Sequence, residues 1–375
     1  MCVAKRLAVI GAGEAAKPYL DSAKAKGVHA ICFGRYADSL YREQCDTFVD
    51  VSIFDIDRIT RHCKILQVDG IVPTSEITTE VAAQVAHRLH LPGNDISGGF
   101  AARNKYSMRQ RVAELSSVKQ PRFWLLDETQ YYPLPAVVKP VDSCGKRGVT
   151  LVQTDDEWRS AVDYAKEHAT CGQVLVEEYI DGGQEYSVEC LSAQRRHQIV
   201  QITEKDSSGP PHFVEIGHHQ PAHLDDSIRY KIEHATWDIL DVMGLHNGLA
   251  HLEIKVKNGD VYFIEVGARG GGGRIADTLI ALSTDFDYFG AAIDVALGQY
   301  TYRPACSIRH AGIYFLCKQT ESLLPLFQAA KTAEWCHEFS LKNEELQEVI
   351  VKTDDVLSGH LIYTSYRKIT PEDIV

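Results

Sequence analysis

The sequence lacks several features that would assign a class at once. Its ten cysteines, at positions 2, 32, 45, 63, 144, 171, 190, 306, 317 and 336, include no CxxC pair. That excludes a zinc ribbon or a thioredoxin-type site, and dispersed cysteines of this kind read as core filler kept reduced. Positive charge is scarce: 39 Lys and Arg face 51 Asp and Glu, a formal net charge of -12 at pH 7. A general nucleic-acid binder needs a basic surface, so that class is excluded, although a local basic pocket is compatible with an acidic chain. No apolar run approaches the roughly 18 residues of a membrane span. No apolar segment precedes the first strand and turn, MCVAKRLAVIGAG, so a cytoplasmic enzyme without a leader is expected. A Walker A loop is missing as well, because Gly145-Lys146 is followed by Arg147.

What is present is a chain of 375 residues with 45% hydrophobic content, enough for two or three packed units. Over the first hundred residues, apolar strands (7–10, 29–33, 48–51 and 70–72) alternate with helical segments (18–26, 56–64 and 81–89). This alternation predicts a parallel sheet with helices on both faces. From 121 to 216 the strands crowd together and read as antiparallel: 136–141, 149–153, 174–180, 185–192, 198–203 and 212–216, with a helix at 156–167. A long helix at 226–243 stops at Gly244. A hairpin follows, 249–256 and 261–266 about Asn258-Gly259, then a glycine-rich run and a helix from 275. Further strands are expected at 311–316 and 360–365.

The turn Gly11-Ala12-Gly13 invites a dinucleotide-binding reading and a nicotinamide dehydrogenase. The second strand ends Phe33-Gly34-Arg35, without the carboxylate that would hold a ribose, and Ala16 stands where a third glycine belongs. A tight strand-to-helix turn is the preferred reading.

The chemistry lies further along. Lys105 and Lys139 come first, the latter closing the apolar strand Val137-Val138-Lys139-Pro140. A lysine there either snorkels to solvent or meets an anion, and a polyphosphate is a sensible partner. The loop Asp142-Ser143-Cys144-Gly145-Lys146-Arg147-Gly148 combines small residues with two cations, a composition whose backbone N–H groups can wrap phosphate oxygens. The segment Glu177-Glu178-Tyr179-Ile180 can offer backbone donors and acceptors to adenine, and Glu185 a carboxylate to ribose, although a glutamate there by itself suits a plain surface. In the hairpin, Glu253 and Glu265 sit inside apolar strands, where spaced carboxylates suit Mg²⁺. A two-residue Asn258-Gly259 turn would send the two to opposite faces; a shared metal site therefore predicts an odd-length loop with a bulge. Arg269 can hold a transferring phosphoryl group, and Gly270–Gly273 permit close backbone approach at a helix start.

In this order and spacing the residues resemble the ATP-grasp superfamily, with likeness over nearly the whole chain. The form Gly267-Ala268-Arg269 and the stretch Val214–Ala222 look like the L-amino acid ligase branch and its carboxylate–amine ligase relatives. The resemblance implies an α/β fold, α+β in its ATP-binding part: an N-terminal parallel domain (1–102), a central lid-bearing subdomain (103–183), a C-terminal lobe with the metal site (184–305) and a small α/β extension (306–375). It implies ATP held by Lys105, Lys139, Ser143, Gly145, Lys146, Gly148, Glu177, Glu178, Tyr179, Ile180 and Glu185, and Mg²⁺, with Mn²⁺ as a substitute, held by Glu253 and Glu265. The family's usual third ligand, an asparagine, is replaced by Gly267. Lys139 and Arg269 are the catalytic candidates; Glu76, His218, Arg269, Gly271 and Gly272 are the substrate candidates, with Glu76 either facing a cationic amine or lying in a plain solvent-exposed loop, and His218 alternatively structural. The implied reaction joins a small carboxylate, such as an amino acid, to an amine through an acyl phosphate. Carboxylation through carboxyphosphate and a non-catalytic nucleotide-binding regulator are the rivals. No nucleic-acid or membrane partner is expected, and a homodimer is left open.

Overall fold

The computed structural model describes residues 4–210, 213–342, 346–348 and 357–374. Within them the chain builds three sheets in sequence order. The first is wholly parallel, with β1 (Arg6–Ile10), β2 (His29–Gly34), β3 (Thr47–Asp50) and β4 (Gly70–Pro73) in the order β3-β2-β1-β4. Helices α1 (Lys17–Lys26) and α2 (Ile56–Ile65) connect strands of this sheet, and α3 (Glu76–Leu89) follows β4. Gly11, at φ +103°, makes the tight turn out of β1, where a Cβ would lie 2.4 Å from the Thr74 hydroxyl. That close approach accounts for this glycine without a dinucleotide.

Short helices α4 (Ile96–Ala101) and α5 (Lys105–Val112) lead into the second sheet, β5 (Phe123–Leu125), β6 (Ala136–Pro140), β7 (Thr150–Val152) and β8 (Val174–Glu178). It is antiparallel, in the order β5-β8-β6-β7, and α6 (Asp155–Glu167) covers it. Val138, Val152, Ala161, Val162 and Ala165 form its small core.

The third sheet has eight strands: β9 (Gln184–Ala193), β10 (Arg196–Ser207), β11 (Glu215–Gln220), β12 (Gly248–Lys257), β13 (Asp260–Gly267), β14 (His310–Leu316), β15 (Cys336–Leu341) and β16 (Gly359–Ser365). Their order is β13-β12-β9-β10-β11-β14-β16-β15. Helix α7 (Asp226–Met243) packs on one face; Ile232, Ala235, Ile239 and Met243 recur at helical spacing and are buried with Val188, Cys190 and Ile202. Each such aliphatic side chain contributes about 1.5–3 kcal/mol on burial. Gly244 caps the helix at φ +71°. After a π-helical turn (Ile275–Leu279) come α8 (Ile280–Ser283), α9 (Tyr288–Ala296) and α10 (Leu324–Ala330). Helix α9 joins the first sheet to the third: Ile293 and Ala292 share one core with Leu7, Val9 and Val72 on one side and Leu191 and Leu249 on the other.

The expected helix at 81–89 in fact begins at Glu76, because Ser75 and Thr78 form a reciprocal capping box. The strand expected at 212–216 runs from Glu215 to Gln220; residue 212 lies outside the described residues. Two glycines in the six-residue α4, and the shortness and charge of α5, hid both from periodicity, and the helix expected from 275 opens with a π-turn. The nine described cysteines are all free, with Cys32, Cys63, Cys190 and Cys317 buried as core residues. No described helix is long and apolar enough to cross a membrane.

Candidate active site

A cavity of about 410 Å³ opens where the second and third sheets meet the carboxyl end of β4. The polar face of the third sheet forms its floor. Cross-strand pairing aligns Glu185 with Lys255, Ser187 with Glu253 and Glu189 with His251 between β9 and β12, and Lys205 with Glu185 between β10 and β9. Side chains two apart in a strand share a face, so Lys205, Glu185, Ser187, Glu189, His251, Glu253 and Lys255 form one continuous patch.

Glu253 of β12 is paired directly with Glu265 of β13. The expected odd-length loop is absent. Lys257 pairs with Asp260 across a two-residue turn, with Asn258 at φ +51° and Gly259 at φ +79°. The extra residue instead sits in the strand: the register slips at Ile264, between the Glu253–Glu265 and Ile254–Phe263 pairs. The bulge brings both carboxylates onto the cavity face while keeping the hairpin turn that Asn-Gly favours.

Basic groups face both acids. Lys205 Nζ lies 2.6 Å from both Glu253 and Glu215. Burial alone would raise the Glu253 carboxyl, but Lys205, a hydrogen bond from His251 and the Lys146 charge outweigh it and hold it well below the usual range. Lys105 Nζ reaches Glu265 at 3.3 Å and donates to the Ser143 carbonyl at 2.6 Å. Lys105 is the first residue of α5, whose start is capped by the Asn104 side chain accepting from the Ser107 N–H.

The opposite wall is a buried three-ion cluster. Lys139 Nζ and Arg109 Nε each lie 2.6 Å from the Glu177 carboxylate. Burial would raise Glu177, yet the two cations take it down to about 2. Burial pushes the Lys139 ammonium below its ordinary value, since one carboxylate is shared with Arg109. The cluster carries a surplus positive charge beside the cavity, a favourable place for phosphate. The carboxylate of Glu177 is thereby engaged with Lys139 and Arg109, while the residue itself lines the cavity. Beyond it, Glu178, Tyr179 and Ile180 line the cavity; the Ile180 carbonyl accepts from Lys255 at 3.1 Å, and Lys255 lies 3.9 Å from Glu185.

The glycine loop folds over the same space. Ser143, Gly145 and Lys146 line it, with Lys146 at φ +61°. Burial would lower the Lys146 ammonium, but Glu185 and Glu253 raise it overall. Gly148 does not line the cavity; a Cβ there would meet Pro140 at 2.7 Å, so its part is to close the loop's base.

At the far end Arg269 pairs with Glu76, the first residue of α3. Burial would raise the Glu76 carboxyl, and the Arg269 charge and hydrogen bond bring it below its usual value. The expectation that Glu76 awaits a cationic amine is corrected to this extent: its cation is Arg269. Gly271 is also occupied, because its N–H donates to Glu189 at 3.0 Å and a Cβ would collide with Glu189 and His251 at 2.7 Å. Gly272 lines the cavity. His218 is fully buried outside the cavity lining, 3.4 Å from Glu215 and edge-on to Phe315. It lies beside the site, next to Glu215 and paired with Lys205 across β10 and β11, rather than in the cavity lining where a direct substrate contact would be.

Sequence reasoning missed Lys205, Glu215, Glu189, His251 and Arg109. Glu189 holds His251 by a short hydrogen bond, and His251 Nε2 lies 3.3 Å from Glu253. Burial would lower the His251 imidazole; Glu189 and Glu253 raise it to about 9. The alternation of Gln201, Thr203 and Lys205 with Glu185, Ser187 and Glu189 was the available signal.

An ATP-grasp domain family model matches residues 132–277. The formate-dependent phosphoribosylglycinamide formyltransferase of Tolumonas auensis is 26% identical over 323 residues, covering 81% of this chain and 79% of the relative. The alanine–anticapsin ligase of Bacillus subtilis is 25% identical over 297 residues, 69% of this chain and 62% of the relative. The crystal structure of the L-amino acid ligase from Bacillus licheniformis superposes with a TM-score of 0.78 over 98% of this chain and 95% of that one, at 22% identity, a likeness of fold. The family match runs from just before β6 into the π-turn and takes in Lys139, Lys146, Glu177, Glu253, Glu265 and Arg269, so this part of the chain is similar to the ATP-grasp domain.

Proposed function

We propose that this protein joins a small carboxylate to an amine, forming an amide through an acyl phosphate with release of ADP and phosphate. The observation that carries the reading is the Glu253–Glu265 pair facing one cavity with Lys105, Lys139, Lys146 and Arg269. The donor set is two carboxylates on one face beside a polyphosphate-sized, cation-rich space, which fits Mg²⁺. Bound there, the ion would neutralise charge on the phosphates during transfer.

The chain's own residues supply the rest. Lys139, positioned by Glu177, and Lys105 would hold phosphate oxygens. The backbone of 178–180 would receive adenine, and Glu185 the ribose. Residues 142–148, in a lid within about 120–183, would cover the triphosphate and exclude water, which would otherwise hydrolyse the acyl phosphate. A carboxylate oxygen attacks the γ-phosphorus as its bond to the β–γ bridging oxygen breaks, leaving ADP. The amine then attacks the acyl carbon, the carbon–oxygen bond to phosphate breaks, and the amine loses a proton. Arg269, held by Glu76, would steady the oxyanion of that second step.

The test is ADP release across a grid of amino acids and small carboxylates with amines, with hydroxylamine as an acyl-phosphate trap. ADP formation requiring both a carboxylate and an amine is expected. Release dependent on bicarbonate would favour carboxylation, and ATP binding without turnover for any pair would favour a regulator.

A further inference from the structure

Strand β10 carries chemistry on both faces of the third sheet. Lys205 points to the cavity, but a register slip between Ile199 and Gln201 reverses the alternation, so that His197, paired with Ser192, lies on the opposite face under α7. There it meets two residues from the other end of the helix: Asp241, in its last turn, and His246, just beyond the Gly244 cap. Ligand atoms of His197, Asp241 and His246 all lie within 4.8 Å of one another. His197 Nε2 is 3.3 Å from Asp241 Oδ1, and His246 Nδ1 is 3.9 Å from the same oxygen.

The outer contacts of each imidazole explain why these atoms converge. His197 Nδ1 is hydrogen-bonded to the buried Ser192 hydroxyl at 2.7 Å. His246 Nε2 faces Asp95 at 3.5 Å. The His246 side chain is 93% buried, and its Nδ1 has no hydrogen-bond partner among the described residues. If Nε2–H serves Asp95, the Nδ1 lone pair confronts the Asp241 carboxylate with no proton between them. That arrangement is unfavourable unless a cation lies between the two. The nearest protein cation, Arg195, stays 3.9 Å from Asp241 and two-thirds exposed. Two imidazoles and one carboxylate, each imidazole steadied through its second nitrogen, form the donor set of a borderline divalent metal. Tetrahedral bonds of about 2.0–2.1 Å put ligand atoms roughly 3.3 Å apart, so the cluster needs only a small contraction. The half-exposed side of Asp241 leaves room for a water to complete the shell.

We propose that His197, Asp241 and His246 form a second metal site, for Zn²⁺ or a similar transition ion, on the sheet face opposite the nucleotide cavity. It would clamp a junction of three segments. The Arg195 N–H donates to the His246 carbonyl at 3.2 Å, tying the β9–β10 turn to the end of α7, and the Asp95 N–H donates to the Gly244 carbonyl at 3.0 Å, tying in the segment before α4. This site is independent of the ligase reading.

The test uses the full chain, stripped of metal and then dialysed against Zn²⁺ in a large excess of Mg²⁺, which occupies hard carboxylate sites. About one Zn²⁺ per chain is expected for the wild type, with a higher melting temperature, and Co²⁺ should give the intense visible bands of tetrahedral geometry. His197→Gln and Asp241→Asn should each lose the ion and the thermal shift. Asp95→Asn, which only weakens the orientation of His246, should lower affinity roughly ten-fold. Equal Zn²⁺ uptake by wild type and variants would overturn the site. If a variant fails to fold, anomalous scattering from Zn²⁺-soaked wild-type crystals decides: a peak between the three side chains supports the proposal, and peaks only elsewhere reject it.

Discussion

Glu253 and Glu265 face each other across two strands joined by a two-residue turn, and one unpaired residue, Ile264, makes that possible. A regular ladder from the same turn would pair Glu253 with Ile264 and turn Glu265 away. The bulge therefore sets the geometry of the floor on which the proposed chemistry depends.

Glu265→Gln should abolish ADP release while leaving the fold intact. The change keeps volume and removes one negative charge from the pair, so a loss of at least about 10²-fold in kcat is expected. Turnover and circular dichroism measured together check this; unchanged turnover would defeat the metal assignment.

Glu177→Gln should destabilise the protein by about 3 kcal/mol, because it leaves Arg109 and Lys139 buried without their shared anion. The pH dependence has a definite sign. The folded-state value of Glu177, about 2, lies below the usual 4.5. Its stabilisation is thus complete above about pH 4.5 and is lost as pH falls towards 2, by something on the order of 3 kcal/mol. Urea unfolding across that window should show a steeper fall for the wild type than for the variant.

Arg269→Lys should lower kcat by roughly 10²-fold with a smaller effect on KM for ATP. A lysine keeps the charge but not the fork that engages Glu76 and a second oxygen together. Steady-state kinetics with saturating ATP separates the two parameters. An equal rise in KM with kcat intact would place Arg269 in ground-state binding instead.

The glycine loop offers a protease test. Gly145 and Arg147 are exposed, and a Cβ at Gly145 would meet nothing within 4 Å. Trypsin should cut at Lys146 or Arg147 in the free protein, and a non-hydrolysable ATP analogue with Mg²⁺ should slow the cut by about ten-fold or more if closure is favoured by 1.4 kcal/mol or more. Equal cleavage rates with and without the analogue would remove the loop from the nucleotide site.

Pattern and motif order were enough for the succession of parallel and antiparallel units, for most of the strands, and for part of the cavity's charged set: Lys105, Lys139, Lys146, Glu185, Glu253, Glu265 and Arg269. Local periodicity and turn chemistry reach that far, because they depend on residues a few positions apart. The tertiary structure decided which of those groups meet. Arg269 and Glu76 are 193 residues apart, His251 and Glu189 62, and Lys205 and Glu253 48. It also decided that Glu177 serves Lys139, that His218 lies outside the cavity lining, and that His197 and Lys205 of one strand face opposite ways. The physical reason is common to all of these. A buried charge takes its partner from whatever strand the sheet places beside it, and a one-residue bulge reassigns a whole face, so neither is written in the pattern of neighbouring residues.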